Sequence, residues 1–391
     1  MKRVCSFRGW ARSAAAAAAL CCLQLPQIHA EANIASPIIG VTVQPETPGS
    51  FSMILVPDPQ GYTKFAATQP LIDLQTAWIA ENIGRLNIKA ALITGDMVEQ
   101  NNKLTWEGIT HPDNGNQTSR QQWEAMSRAL ERLDGRLPYI ACQGNHDAGY
   151  VASESRYSMQ PEFIYPERNT AWERTLVSTA ADYRGIHTME NAAFEFSDPA
   201  WGNLLVIAFE FAPRDEALDW ARGLIESDRF RNHRVIILTH SFLNTKGNII
   251  ETERYKLEPR NWPQAVWDKL IAPSKNIDFV VCGHAGTPPA FPADADSPAD
   301  IDYSTNSAFR LEKAADGREI PIMMFNSQTG DGEWFGDGGD CWLRILEFEP
   351  DGQTVSVRTF SPLFAQSKLT RQLAWRTAPY DCFRFTVPGK R

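Results

Sequence analysis

Short apolar segments alternate with longer segments of helical periodicity along most of this chain, and this alternation limits the folds open to it. The pattern begins with apolar segments at Phe51–Val56 and Ala90–Thr94, between which apolar residues recur at helical spacing over Leu71–Asn87. It continues through further strands and helices, in chain order Arg120–Leu133, Pro138–Cys142, Leu204–Phe209, Asp215–Ser227, Val235–Thr239, Pro263–Leu270 and Ile277–Cys282. This order predicts an α/β fold with a mostly parallel sheet covered by helices.

The last part of the chain changes from an α/β pattern to an antiparallel β pattern. Strands are predicted at Ile320–Phe325, Trp342–Phe348 and Thr354–Thr359. Asp351-Gly352 is a typical hairpin turn between the last two of them. Two long polar segments, residues 150–189 and 286–318, show no period, and loops of this length are often lids or specificity elements.

The first thirty residues have the pattern of a secretory signal peptide, which is not part of the fold. Four basic residues lead the segment: Lys2, Arg3, Arg8 and Arg12. The apolar stretch Ala14–Leu25 is too short to span a bilayer, and Ala30 offers a small residue before a cleavage point. A short membrane anchor is the alternative. We therefore expect an exported protein, periplasmic or secreted, with a lead-in segment over residues 31–50 and no transmembrane segment in the mature chain.

Net charge and cysteine content bound the function further. Cleavage after Ala30 would take the formal net charge from -9 to -13, because it removes four basic residues and no acidic ones. An acidic chain lacks the basic face of a dedicated nucleic-acid binder, which argues against nucleic acid as the partner. Export permits disulfides, and Cys341 and Cys382 are candidates for one. Cys142 and Cys282 each end an apolar strand and are expected to be buried thiols.

Five of the predicted strands are followed by polar side chains that can bind metal ions. In chain order these side chains lie in Asp58-Pro59-Gln60, Gly95-Asp96-Met97-Val98-Glu99, Gly144-Asn145-His146-Asp147, His240, and Gly283-His284-Ala285-Gly286. Sites in open α/β sheets form at the carboxyl ends of strands, so these five loops can converge. Carboxylates, carboxamides and imidazoles suit divalent manganese, iron or zinc, and the absence of thiolates from the set argues against a structural zinc site.

The order of these motifs resembles that of the calcineurin-like metallophosphoesterases over about Phe51 to Gly286, and Gly339–Arg344 with Arg358–Pro362 is similar to an exported bacterial branch of that family. The resemblance implies a four-layer α/β/β/α sandwich, in which helices flank two mixed β-sheets. It implies a metallophosphoesterase domain over residues 51–362, and we expect residues 363–391 to form a C-terminal β extension packed on it. The implied activity is hydrolysis of a small-molecule phosphomonoester or phosphodiester by a metal-activated water. No protein partner is evident.

The resemblance also implies two divalent metal ions and a role for each motif residue. Asp96 would bridge the two ions, with Asp58 and Gln60 on the first and Asn145, His240 and His284 on the second. His146 would face the substrate and either protonate the leaving oxygen or stabilise the charged transition state, and Asp147 would orient His146. Glu99 is a candidate for fixing its loop.

Two positions depart from the family pattern, and both belong to the first ion. Gln60 and Gly286 stand where histidines are usual, which leaves that site with oxygen ligands alone. Three outcomes are open: a weaker, exchangeable first ion; replacement of the lost histidine by Asn326, Gln328 or Asp331; or binding of the second ion alone. The same departures motivate an alternative function, a catalytically impaired protein that binds phosphate or metal on this scaffold.

Overall fold

The computed structural model describes residues 41–103, 115–286, 304–328 and 338–388. The predicted signal peptide, half of the lead-in segment, Asp331 and much of the second long polar segment lie outside these residues. No helix within the described ranges is long and apolar enough to cross a membrane.

Two β-sheets are built from strands that the described residues form in the chain order β1 (Phe51–Val56), β2 (Ile88–Ile93), β3 (Tyr139–Ala141), β4 (Leu176–Ala181), β5 (His187–Asp198), β6 (Gly202–Ala208), β7 (Arg234–Leu238), β8 (Ile277–Cys282), β9 (Ser307–Lys313), β10 (Glu319–Phe325), β11 (Leu343–Phe348), β12 (Thr354–Phe360), β13 (Trp375–Arg376) and β14 (Cys382–Thr386). The first sheet has the order β13-β12-β11-β1-β2-β3, with β14 also paired to β12. The second has the order β4-β5-β6-β7-β8-β10-β9.

Both sheets are mixed, with a parallel centre that sets the direction of the functional loops. In the first sheet β1, β2 and β3 are parallel, and in the second β6, β7, β8 and β10 are parallel. The remaining pairs are antiparallel, including the predicted hairpin of β11 and β12 around Asp351-Gly352. Two mixed sheets with flanking helices confirm the predicted α/β sandwich.

The alternation of side chains along β6 shows how the second sheet is covered on both faces. Leu204 and Val206 belong to the core cluster that contains β1 and β11 of the first sheet, so they fill the space between the sheets. Leu205 and Ile207 point the other way and pack with Leu218 in a second cluster. A strand buried on both faces is a continuous apolar run, which explains why these central strands were predictable from sequence.

Helices cover the outer faces and connect the strands: α1 (Gln60–Thr63), α2 (Gln69–Asn82), α3 (Ser119–Leu130), α4 (Gln160–Phe163), α5 (Asp215–Glu226), α6 (Pro263–Val266) and α7 (Pro362–Ala365). Thr118 caps α3 in a capping box with Gln121. The predicted helix Leu71–Asn87 ends earlier, at Asn82, and Asn87 adopts a φ of 47° just before β2. The predicted helix Pro263–Leu270 continues beyond Val266 as a π-helical turn, Trp267–Ile271.

The two long polar segments contain strands that the sequence analysis did not predict. Residues 150–189 include β4 and the beginning of β5, and residues 286–318 include β9. β4 pairs with β5 and β9 with β10, so each is the edge strand of the second sheet. Edge strands are half solvated and carry polar residues, as β9 does along Ser307–Lys313, and they lack the apolar run that marks central strands.

The C-terminal residues contribute strands to the first sheet. β14 runs antiparallel along β12 from Thr354↔Thr386 to Arg358↔Cys382. The predicted disulfide between Cys341 and Cys382 is wrong: Sγ of Cys341 lies 3.3 Å from the carbonyl oxygen of Leu71, and Cys382 is exposed on β14. Cys142 and Cys282 are buried thiols, as expected.

Candidate metal centre

Strand ends from both sheets meet at one buried point. Asp58, Asp96 and Asn145 follow β1, β2 and β3 of the first sheet, and His240 and His284 follow β7 and β8 of the second. Asp58, Asp96 and His284 have φ angles of 31°, 48° and 66°, which lie in the left-handed region that non-glycine residues rarely adopt. Backbone in such a conformation persists only where its surroundings fix it, and it is concentrated at functional sites.

Three potential ligand atoms surround Nε2 of His240, which is the fourth atom of the cluster. Asn145 Oδ1 lies 2.9 Å from it, His284 Nδ1 3.0 Å and Asp96 Oδ2 3.2 Å. Asp96, His240 and His284 each offer a ligand atom within 4.8 Å of the others. Ligands bound about 2.1 Å from one ion at right angles to each other lie about 3 Å apart, so these spacings fit a single coordination shell.

Hydrogen bonds to the other ring nitrogens leave the converging nitrogens free to bind an ion. His240 Nδ1 donates to the carbonyl oxygen of Thr94 at 2.6 Å. His284 Nε2 donates to Oε2 of Glu253 at 2.9 Å, and the other oxygen of Glu253 accepts from Ser241. Such outer partners fix the tautomer of metal-binding histidines. The sequence analysis missed Glu253, which lies in the loop between β7 and α6 and belongs to none of the strand-end motifs.

The charges at this point favour a cation. Burial works against protonation of His240, but the charge and hydrogen bond of Asp96 and the charge of Asp58 raise the pKa of His240 to about 10. Burial alone would raise the pKa of Asp96, yet the charges of His240 and His146 hold it well below its ordinary value. Burial raises the pKa of Asp58 to about 6, with His240 opposing and Asp96 adding to the effect. A divalent ion would satisfy the same negative charge that holds a proton on His240.

Asp58 and Gln60, the residues predicted for the first ion, both form hydrogen bonds with protein atoms. Asp58 is fully buried, and its oxygens accept from Thr94 Oγ1 at 2.6 Å and from the backbone amide of His284 at 2.7 Å. Gln60 Nε2 donates to Asp96 Oδ2 at 3.0 Å. Gln60 Oε1 and Asn145 Nδ2 are buried and have no hydrogen-bond partner within the described residues.

His146 and Asp147 lie beside the cluster, with contacts that correct one expectation. His146 Nδ1 donates to the carbonyl oxygen of Glu99 at 2.7 Å. The carboxylate of Asp147 accepts from the backbone amides of Met97, at 2.7 Å, and Gly144, at 2.8 Å. The expected contact of Asp147 with the His146 ring is therefore replaced: Glu99 orients the ring, and Asp147 ties the loops after β2 and β3 together.

The surroundings raise the pKa values of both His146 and Asp147. Burial would lower the pKa of His146, but the charges of Asp96 and Glu99 and the hydrogen bond to Glu99 raise it overall. Burial and the charge of Asp96 raise the pKa of Asp147 to about 7.

Two adjoining cavities give access to the cluster. The smaller, about 180 Å³, is lined by Asp96, Asn145, His146 and His284 among others. The larger, about 1020 Å³, is mostly polar and includes Asn244, Arg254, Trp267 and Arg310 in its lining. Tyr255 and His284 line both, so a molecule in the larger cavity can reach the cluster.

Comparison with known proteins places this architecture among phosphoesterases. A family model described as calcineurin-like phosphoesterase matches residues 56–288. The uncharacterized protein YvnB of Bacillus subtilis (strain 168) is 22% identical over 329 residues, which cover 83% of this chain and 21% of that protein. The chain thus spans about a fifth of the length of this relative. A solved structure described as GAP50, the anchor in the inner membrane complex of Plasmodium, is similar with a TM-score of 0.39 and 9% identity, covering 88% of this chain and 90% of that chain.

Proposed function

The chain belongs to the calcineurin-like phosphoesterase family, and on this premise we propose that it is a metal-dependent hydrolase of small-molecule phosphomonoesters or phosphodiesters. The observation that carries the proposal is the convergence of Asp96, Asn145 and His284 on Nε2 of His240. One carboxylate oxygen, one amide oxygen and two imidazole nitrogens suit manganese, iron or zinc. We also propose that residues 1–30 direct export and that the mature enzyme is periplasmic or secreted.

The chemistry that the proposal needs is divided between an ion and this chain. A divalent ion, when bound, lowers the pKa of a water molecule and neutralises charge on phosphate oxygens. His240 and His284 present fixed ring nitrogens to it, and Asp96 supplies the negative charge. Gln60 and Asn145 line the smaller cavity, and their buried atoms Gln60 Oε1 and Asn145 Nδ2 have no hydrogen-bond partner among the described residues, as expected where polar ligands bind.

His146 is the proposed proton donor. It lines the smaller cavity, and because its Nδ1 is held by Glu99, Nε2 is the atom that can reach a substrate. The raised pKa keeps this ring protonated closer to neutral pH, which suits transfer of a proton to the leaving oxygen. The organic part of the substrate would occupy the larger cavity, where polar side chains predominate.

The test is hydrolysis of an aryl phosphomonoester and an aryl phosphodiester by metal-stripped protein, with and without added manganese. We expect activity only with metal, and a loss of roughly 100-fold or more in His146→Asn, since general acids contribute about 10²–10⁴-fold. Asn145→Ala should lose activity through loss of metal. His187→Asn is a matched control, because His187 is an exposed histidine on β5 that bonds Thr179. Metal binding without turnover of either ester would overturn the proposal and favour the impaired binding protein.

A further inference from the structure

Gln60, the residue expected to bind the first ion, contacts the carboxylate of Asp96, which was expected to bridge both ions. Its Nε2 donates to Oδ2 of Asp96 at 3.0 Å, and the same oxygen lies 3.2 Å from His240 Nε2. An ionised carboxylate only accepts hydrogen bonds, so the amide nitrogen, not the amide oxygen, faces it. A bridging role for Asp96 would require this buried N–H to leave the carboxylate and an ion to take its place.

Two asparagine side chains lie against Gly286, the position of the other missing histidine. A Cβ atom on Gly286 would lie 3.2 Å from Nδ2 of Asn306 and 3.4 Å from Nδ2 of Asn326. Nδ2 of Asn306 donates to the backbone carbonyl of Gln328 at 2.9 Å, so amide nitrogens, which cannot bind a cation, lie next to this space. Asn326, one of the three candidate replacement ligands, bonds the backbone instead: its Nδ2 donates to the carbonyl of His284 at 3.0 Å, and its Oδ1 accepts from the amide of Gln328 at 2.9 Å.

The hydrogen bonds of Asp58 stabilise neighbouring loops without an ion. Its Oδ1 accepts from Thr94 Oγ1 and its Oδ2 from the backbone amide of His284, so the carboxylate fixes the loop that presents the His284 ring. His240 Nδ1 lies 3.9 Å from Asp58 Oδ1, but that nitrogen donates to the Thr94 carbonyl. Asp58 therefore supports the ligands of one ion.

From these contacts we infer that the site binds only the second of the two expected ions, held by Asp96, Asn145, His240 and His284, and that the amide of Gln60 replaces the first ion as the partner of Asp96. The inference concerns the same site as the proposed function and rests on it. Gln60 supplies a hydrogen bond where a cation would supply charge, which keeps Asp96 in place without a second set of ligands. Of the three outcomes open from the sequence, these contacts favour binding of the second ion alone; Asp331, one of the three candidate replacements, lies outside the described residues.

The test is the number of ions per chain, measured by elemental analysis of the protein after manganese loading and dialysis, with electron paramagnetic resonance of the same samples. We expect about one ion per chain and the spectrum of an isolated manganese ion, as one complete ligand set predicts. About two ions per chain, with a spin-coupled spectrum, would overturn the inference. Binding of no ion would overturn it as well.

Two variants locate the ion. Gln60→Ala should keep about one ion per chain, because Gln60 is a hydrogen-bond donor and not a ligand; a clear fall in the count would contradict this. Asn145→Ala should lose most of the ion, and full retention would show that the ion lies elsewhere. Activity separates this inference from the proposed function. One ion without hydrolysis would sustain the inference and reject the hydrolase, whereas hydrolysis with two coupled ions would do the reverse.

Discussion

Single hydrogen bonds decide which atoms of the site can bind an ion. The strand-end motifs predicted that His240 and His284 would meet, but not which ring nitrogen of each would face the other. Thr94 and Glu253 decide this, by accepting from His240 Nδ1 and His284 Nε2. No pattern in the sequence marks Glu253, because its loop runs between elements and its position depends on the fold of the second sheet.

We expect Glu253→Gln to weaken metal binding while the fold persists. The substitution keeps a hydrogen-bond acceptor for His284 Nε2 but removes the carboxylate charge behind the metal-binding ring. The manganese dissociation constant should rise about 10–100-fold, measured by calorimetry on metal-stripped protein. Glu251→Gln is the matched control, since Glu251 lines the larger cavity two residues away. Equal affinities in the two variants would contradict the role of Glu253.

Buried Glu190 gives the protein a pH-dependent stability. It accepts from Gln143 Nε2 at 2.6 Å and from Thr188 Oγ1 at 2.8 Å, just behind the loop that carries Asn145. Burial raises the pKa of Glu190 from 4.5 to about 7, opposed in part by the hydrogen bond from Thr188. The folded protein thus holds a proton that the unfolded chain releases, and the unfolding free energy falls as the pH rises through this interval.

Glu190→Gln should remove this dependence. At about 1.4 kcal/mol per pKa unit, the variant should gain roughly 3 kcal/mol relative to wild type between about pH 4 and about pH 8. Urea denaturation across that range measures the difference. A stability difference that does not grow with pH would show that the pKa of Glu190 in the folded protein is not raised.

The loops after neighbouring strands approach each other closely, and glycine makes this possible. A Cβ atom on Gly144, after β3, would lie 2.1 Å from the backbone nitrogen of Asp96 and 2.2 Å from its Oδ1. The carboxylate of Asp147 then bonds both loops, through Met97 and Gly144. The spacing of Gly-Asp and Gly-Asn-His-Asp is therefore a consequence of two loops packed against each other.

Gly144→Ala should destabilise the protein by at least about 2 kcal/mol, because the added methyl group meets backbone that cannot move freely. Gly223→Ala is the control: Gly223 lies within α5, nothing lies within 4 Å of its Cβ position, and alanine there should stabilise by about 0.5–1 kcal/mol. Chemical denaturation compares the two. Equal stability of Gly144→Ala and wild type would contradict the close approach of the loops.

Central elements of the fold were predictable from sequence, and peripheral ones were not. β1, β7 and β8 are mostly apolar because both faces are buried, and their predicted bounds agree with the structure to within a residue. β4 and β9 escaped prediction because they are edge strands within long polar segments and lack a continuous apolar run. The strand ends were enough to locate the site. The hydrogen bond that makes Gln60 a partner of Asp96 could not be predicted, because it depends on how the loops pack in the folded protein.

At the scale of the whole molecule, the site depends on two sheets, and the C-terminal strands tie them together. β14 belongs to the first sheet, and Phe383 on it packs against Phe309 of the second, with ring centroids 5.1 Å apart. Asp381 lies between two buried guanidinium groups, 3.3 Å from Arg344 Nη2 and 2.8 Å from Arg376 Nε. We propose that residues 363–391 fold with residues 51–362 as one unit.

Asp381→Asn should cost about 3–5 kcal/mol of stability, since it removes the charge that compensates two buried arginines. Arg384→Ala, on the same terminal segment, should cost only about 0–1 kcal/mol, because the Arg384 side chain is 58% exposed and its pairs with Glu46 and Glu349 are solvated. Thermal and urea unfolding should also show one transition. A small effect of Asp381→Asn, or a separate early unfolding transition, would contradict the proposal that residues 363–391 fold together with residues 51–362.

The most direct test of the account is a paired titration, in which bound manganese per chain and the rate of phosphoester hydrolysis are measured on the same metal-stripped samples. The account predicts no hydrolysis without metal, a rate that rises in proportion to bound metal, and saturation of both at about one ion per chain. Hydrolysis by metal-free protein, or no hydrolysis at full occupancy of the site, would contradict it.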